Sequence, residues 1–269
     1  MTGNHPAGVM RRPPGRPDDR PAIATCRITY VGHATLLIEL GSARLLTDPV
    51  LRPRMAHLRR HPDTPVPPAG VDAVLISHLH GDHLDLPSLR LLDHRPPVIA
   101  PRGAGAFLKR AGLEVRELGE GESTEVAGAE IRAVRALHDA RRRPWLGPTA
   151  DPLGFVIGPR PSVYFAGDTD LFDAMAELAP VDVALLPVAG WGPRLGPGHM
   201  TAERAARAAA LLRPHVAIPI HWGTFHPAYA RRGAWFSDPP LEFAAQVAAV
   251  APSVDVRVLM PGESTSVSA

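Results

Sequence analysis

The hexapeptide His78-Leu79-His80-Gly81-Asp82-His83 stands directly behind residues 71–77 (VDAVLIS), a continuous apolar run of strand length. An unbroken run of this kind marks a strand covered on both faces, and such strands belong to sheets with helices packed against them. Residues two apart on an extended segment face the same way, so His78 and His80 can grip one cation while Leu79 turns into the core. Gly81 permits a tight turn, which presents Asp82 and His83 to a second position close by. The bland alternative is a polar loop with solvated histidines. Four ligand-type side chains in six positions behind a buried strand favour a metal site at a sheet edge, where open α/β sheets place their binding loops.

The rest of the chain can be read around that edge. Residues 1–22 are rich in Pro, Gly and Arg with no apolar period, so a disordered tail is expected before a folded unit over 23–269. CRITYV, TLLIEL and ARLLTD read as a strand meander, and 61–68 as a Pro-rich loop. After the hexapeptide a helix is predicted, with Asp85 as its cap, Pro87 in its first turn, and Leu86, Leu89 and Leu92 on one side. Strand VIA, helix GAFLKRAG and strand VREL follow. A second run of strands (STEVAG, AEIRAVRAL, LGFVIG, SVYFAG) leads into helix DLFDAMAEL, strand DVALLPV, a helix capped by Thr201, strand VAIPI, helix PLEFAAQVAAV and a closing strand VDVRVLM. Strands followed by β/α units, twice over and without a linker, predict an α/β (α+β) fold. The expected form is a four-layer αββα sandwich of two similar halves.

Composition removes several classes of function. The chain has 269 residues, enough for a substantial core, and no apolar run approaches the ~20 residues of a membrane span. No apolar segment stands behind the arginines of the N-terminus, so a cytoplasmic location is expected. Cys26 is the only cysteine, which excludes an internal disulfide framework; it reads as a strand residue. The formal charge is +2 although the pI is about 9.1. Lys109 is the single lysine, and arginine-borne basicity alone does not indicate nucleic-acid binding. Thirteen histidines point to metal ligation or acid–base chemistry instead.

Further candidate ligands sit where the hexapeptide sits, at the C-terminal edge of an apolar strand. His138 ends AEIRAVRAL, Asp168 ends SVYFAG, and His221 ends VAIPI; taken singly, each could be an ordinary turn or capping residue. With these residues and the segments GHATLLIE, LLTDPVL, LGFVI, YFAGDTD, HMTAE and HWGTF, the chain resembles the metallo-β-lactamase superfamily of binuclear metallohydrolases from about His33 onward. It is similar in particular to the branch holding L-ascorbate-6-phosphate lactonase and N-acyl-phosphatidylethanolamine phospholipase D. The resemblance implies one cation on His78, His80 and His138, a second on Asp82, His83 and His221, and Asp168 bridging them. It also implies a hydrolase in which two divalent cations share a hydroxide that attacks an anionic ester, lactone or phosphodiester. The donor set suits Zn²⁺ best and accepts Mn²⁺ or Fe²⁺. True β-lactamases lack a histidine at the position of His83 and place a cysteine on the second metal, so antibiotic hydrolysis is not expected. The insertions of the superfamily's RNA nucleases are absent, and no nucleic-acid substrate is expected either.

Other residues carry two readings. Asp82 and His199 are the candidate catalytic groups, His199 as a substrate-contacting acid at a helix N-terminus or else a surface loop residue. Asp48 either accepts an N–H from a ligand histidine or is a turn residue before Pro49. His33 lines the pocket or is a hydrogen-bonded core histidine. Arg141, Arg142 and Arg143 can fork onto an acidic or phosphorylated substrate, or form a solvated run. Arg52, Arg54, Arg59 and Arg60 make a second basic stretch, expected in a loop, which leaves a weak peripheral membrane or nucleic-acid contact open. The substrate is then a small-molecule or lipid-like anion. Two alternatives stand beside the leading one: a lipid-directed phosphodiesterase, and a non-catalytic metal or nucleic-acid binding module on the same scaffold.

Overall fold

The computed structural model describes residues 25–61, 63–142 and 147–268. The tail assigned to 1–22 and Arg143 lie outside the described residues. The first half runs β1 (Thr25–Gly32), β2 (Thr35–Leu40), β3 (Ala43–Thr47), β4 (Arg54–Met55), β5 (Leu58–Arg60), β6 (Ala73–Leu75), α1 (Leu86–Leu89), β7 (Val98–Pro101), α2 (Gly105–Arg110) and β8 (Val115–Leu118). The second runs β9 (Ser123–Val126), β10 (Ala129–Arg135), β11 (Leu153–Ile157), β12 (Val163–Phe165), β13 (Val183–Pro187), α3 (Ala202–Leu212), β14 (Val216–Ile220), β15 (Phe225–Pro227), α4 (Ala234–Ser237), α5 (Pro239–Val250), β16 (Asp255–Val256) and β17 (Ser264–Ser268).

Two seven-stranded sheets result, ordered β17-β1-β2-β3-β6-β7-β8 and β16-β14-β13-β12-β11-β10-β9. Each is antiparallel along one flank and parallel along the other, as a meander followed by β/α units requires. Alternate residues of the first sheet, such as Ile28, Tyr30, Leu36 and Ile38, pack with Phe155, Phe165 and Leu185 of the second in one core between the sheets. Burying each of these side chains contributes about 1.5–3 kcal/mol. The opposite face of the first sheet, with Leu37, Leu46 and Val74, is covered by Leu84, Leu89, Leu92 and Leu108 of the α1 and α2 region. Helices α3 and α5 pack on each other, and they cover β13 and β14 with Ala205, Ala209, Phe243 and Val247. The four-layer αββα arrangement expected from the order of elements is the one observed.

Four local expectations change. Residues 170–178 form a single 3₁₀ segment, Asp173–Leu178, rather than an α-helix. The closing strand VDVRVLM shrinks to Asp255–Val256, and the chain ends instead on β17, which crosses back to pair with β1. The basic stretch expected as a loop contributes β4 and β5, which join β15 in a separate three-stranded sheet. Gly81 does not have a left-handed backbone, and nothing lies where its Cβ would stand; the turn is closed by the His83 and Leu84 N–H groups donating to the His80 carbonyl. Cys26 is buried in β1, and burial, helped by Glu39, pushes its thiol up to about 12, so it stays protonated. Among the described residues no helix is long and apolar enough to cross a membrane.

Candidate metal centre

The loop behind β6 is fastened at both ends. Asp48, just past β3, donates its N–H to the Leu75 carbonyl, and its carboxylate accepts from the Ser77 N–H (2.7 Å), the Ser77 hydroxyl (2.5 Å) and His83 Nδ1 (2.7 Å). At the far end Asp85 caps α1 and takes both arms of the Arg52 fork at 2.7 Å. Arg142 crosses from the other sheet, donating to the carbonyls of Leu79 (2.8 Å) and Leu84 and lying 4.7 Å over the Phe107 ring. It therefore braces the loop, whereas Arg141 pairs with Asp139 at the surface. Leu79 is buried, as the alternation requires.

The loops behind β10, β12 and β14 bring His138, Asp168 and His221 to this place. Ring nitrogens of His78, His80 and His138 gather within 4.8 Å of one another, and His80 Nδ1 lies 3.0 Å from His138 Nε2. A second group with the same spacing holds Asp82, His83, His221 and also His33. His83 Nε2 and His221 Nε2 are 3.2 Å apart. Asp168 stands between the groups: Oδ2 is 3.1 Å from His83 Nε2 and 4.0 Å from His138 Nε2, while Oδ1 is 3.2 Å from His221 Nε2. All seven side chains that the sequence nominated as ligands converge here.

Backbone carbonyls orient the rings. His138 Nδ1 donates to the Gly198 carbonyl (2.8 Å) and His221 Nδ1 to the Ala189 carbonyl (2.9 Å). A carbonyl only accepts, so each ring keeps its Nε2 lone pair for the interior of the site. Asp48 accepts from His83 Nδ1 and so turns that ring's Nε2 toward the site. Gly198 is held at φ +76°, and a Cβ there would come within 2.9 Å of His138 Nδ1, so only glycine brings that carbonyl so close. His33 and His221 both occupy the left-handed region, at φ 62° and 63°, a strained choice for histidine. It is held by the His33 N–H donating to Thr224 Oγ1 and the His221 N–H to the His33 carbonyl, each at 2.8 Å, with the rings 3.9 Å apart.

The electrostatics are those of a concentrated donor cluster. Burial, aided by neighbouring imidazoles, keeps His78 neutral well below the usual histidine range and takes His33 down to about 3. Burial works against charge on His83 too, but Asp168, Asp82 and Asp48 outweigh it and hold this ring protonated well above the usual range. Burial likewise opposes charge on Asp82 and Asp168. The surrounding histidines prevail and leave both carboxylates ionised well below the ordinary range. His199, at the partly open edge, lies 3.2 Å from Asp168 Oδ2; its own burial is overcome by that contact and it is pulled up to about 9. His78 Nε2 is buried with no hydrogen-bond partner, and Asp168 Oδ1, though near His221, meets no donor in hydrogen-bonding geometry.

Sequence reasoning missed the residues that act through their backbone or through one hydroxyl. Ala189 and Gly198 lie outside every quoted motif, and Thr224 lies inside HWGTF without being singled out; the GPGH spacing before Met200 is the one signal that could have drawn attention to Gly198. A cleft of about 910 Å³ opens beside His138 and Gly198, lined by Leu118, Leu137 and Leu153 together with Arg102, Arg135 and Asp151 among others.

The model of the Beta-lactamase superfamily domain matches residues 43–222, more than half of the chain. A UPF0173 metal-dependent hydrolase of Methanopyrus kandleri is 34% identical over 247 residues, covering 88% of this chain and 98% of its own. An N-acyl-phosphatidylethanolamine-hydrolyzing phospholipase D of Caenorhabditis elegans is 30% identical over 73% of this chain and 64% of its own length. Among solved structures, the metallo hydrolase Igni18 of Ignicoccus hospitalis superposes with a TM-score of 0.68 at 25% identity, over 90% of this chain and 98% of that one.

Proposed function

The chain belongs to the beta-lactamase superfamily, and from that premise we propose that it is a hydrolase working with two divalent cations. His78, His80 and His138 would hold one, Asp82, His83 and His221 the other, and Asp168 would reach both. The observation that carries this reading is the pair of buried, unsatisfied acceptors, His78 Nε2 and Asp168 Oδ1, in the middle of five converging imidazoles. A buried polar atom left unpaired costs about 1–3 kcal/mol, and a cation at this place relieves that cost. Imidazole nitrogens with a few carboxylate oxygens suit Zn²⁺ best, with Mn²⁺ or Fe²⁺ also accommodated. When bound, the cations supply Lewis acidity to the scissile group and a lowered pKa to an attacking water.

The chain's own residues supply the rest. Asp48, Gly198 and Ala189 fix the tautomers of His83, His138 and His221, so the donor atoms are already aimed. Five imidazoles and only two carboxylates would leave the charge of two divalent cations partly unneutralised, which favours an anionic ester, lactone or phosphodiester. His199 holds its proton at neutral pH beside Asp168, at the edge where a substrate enters, and is placed to give it to a leaving oxygen. The cleft next to His138 is the open space in which the substrate's remaining part would lie, lined by Arg102 and Arg135 together with Glu120, Asp139, Asp151 and Asp170. Arg142, engaged with the loop, and Arg141, paired with Asp139, are not assigned to substrate.

The test is a hydrolysis screen of purified protein loaded with Zn²⁺ or Mn²⁺ against phosphodiesters, lactones and N-acyl phospholipids. Turnover of one class, abolished in Asp168→Ala and reduced about 10²- to 10⁴-fold in His199→Ala, is expected. No turnover of any class, with DNA bound instead, would favour the non-catalytic module.

A further inference from the structure

The small sheet of β4, β5 and β15 carries a row of basic side chains, two of them arginines, that the hydrolytic site does not use. Arg54 faces Arg59 directly across β4 and β5, and Arg59 faces His226 across β5 and β15, so all three project from one side of the sheet. Like charges directly opposite one another destabilise a sheet, and a ligand of opposite charge relieves this. The other side is ordinary core: Met55, Leu58 and Phe225 are buried with Val50, and Arg60 donates to the Val50 and Val31 carbonyls while lying over the Phe225 ring. Beside the row, at the β4–β5 turn, the His57 ring touches Trp191 (5.3 Å between centroids) and Tyr229 (6.4 Å). Tyr229 is 82% exposed and Trp191 37%.

The three segments that build this face, 49–61, 188–202 and 221–237, contain no Asp or Glu. Arg54 and Arg59 form no ion pair among the described residues, nor do Arg194, three residues past Trp191, and Arg231, two past Tyr229. Arg52 and Arg60 of the same stretch are already engaged, which separates the braces of the fold from the cations left for a partner.

We propose that this face docks on an anionic phospholipid bilayer. Exposed Trp and Tyr beside unpaired basic residues are the composition of a protein surface at a lipid–water boundary. Trp191 and Tyr229 each contact the His57 ring, Trp191 edge-on, so the two are grouped at one corner beside the arginines and not spaced along a groove that could track a strand of nucleic acid, and this favours a bilayer. The face also adjoins the histidine cluster, since Trp191 stands two residues from Ala189, whose carbonyl holds His221. Binding of a bilayer does not require hydrolysis, so this inference stands apart from the reading of the metal centre.

Vesicle co-sedimentation of the full chain tests it, with phosphatidylcholine alone, with phosphatidylcholine mixed with phosphatidylglycerol, and with single-stranded DNA as competitor. Binding only to the phosphatidylglycerol vesicles, weakening as salt rises, is expected. Removing charge in R54A/R59A should weaken it roughly fivefold per arginine, W191A/Y229A should weaken it as well, and R54K/R59K should retain it. A far-UV spectrum of each variant checks that it is folded. Equal binding to both vesicle types, loss in R54K/R59K, full binding by folded R54A/R59A, or complete displacement by DNA would each overturn the assignment.

Discussion

Asp48 shows how much one side chain can do by holding others. It accepts two hydrogen bonds from Ser77 and one from His83 Nδ1 while fully buried and itself in the left-handed region at φ 33°. Asp48→Asn keeps the shape but removes the charge that fixes the His83 tautomer. Cation affinity should fall about 10- to 100-fold, read by competition with a chelating dye; unchanged affinity would leave Asp48 a turn residue before Pro49. The acid–base state of the site gives a second prediction. Burial opposes a proton on His83, yet three carboxylates keep it there well above the usual range, so at neutral pH the metal-free ring is charged. A ring must be neutral to hold a cation, so binding displaces that proton. Affinity should therefore rise with pH across the neutral range, about tenfold per unit for each proton released. Calorimetric titrations in buffers of differing ionisation heat check this; heats that do not depend on the buffer would contradict it.

At the scale of elements, the loop between β6 and α1 is a braced structure, not a flexible grip. Arg142 spans its two ends from the opposite sheet. Arg142→Ala leaves the buried Leu79 and Leu84 carbonyls without that charged donor, and such a bond contributes about 1.5–3 kcal/mol. Amide exchange over 78–84 should speed roughly tenfold or more, while exchange in β13 stays unchanged. Equal protection in the variant would show that the loop holds itself. This role was not legible in the sequence, where an arginine run near a ligand reads equally well as a substrate clamp. The three nominated residues behind β10, β12 and β14 were legible, because a polar ligand-type residue after a fully apolar strand stands out. The carbonyls of Ala189 and Gly198 were not, since every residue has one and only the folded backbone says where it points. Strands β4, β5 and β15 were hidden for another reason: they are two or three residues long, too short to show an alternation of apolar and polar residues.

The whole molecule is two like halves, and the site lies on their seam. His78, His80, Asp82 and His83 follow a strand of the first sheet, whereas His138, Asp168 and His221 follow strands of the second. That order of strands and helices was readable from apolar periodicity. The return of β17 to β1 was not, because a contact between the two ends of the chain leaves no local trace. Cations held across the seam would tie the two sheets together at one edge, because the donor set draws on strands of both sheets. The most direct measurement is elemental analysis of the purified full-length chain, dialysed after loading with Zn²⁺. Two ions per chain are predicted, falling in Asp168→Ala with the fold retained. One ion or none in the unaltered protein, or two ions undisturbed by Asp168→Ala, would contradict a paired-cation centre.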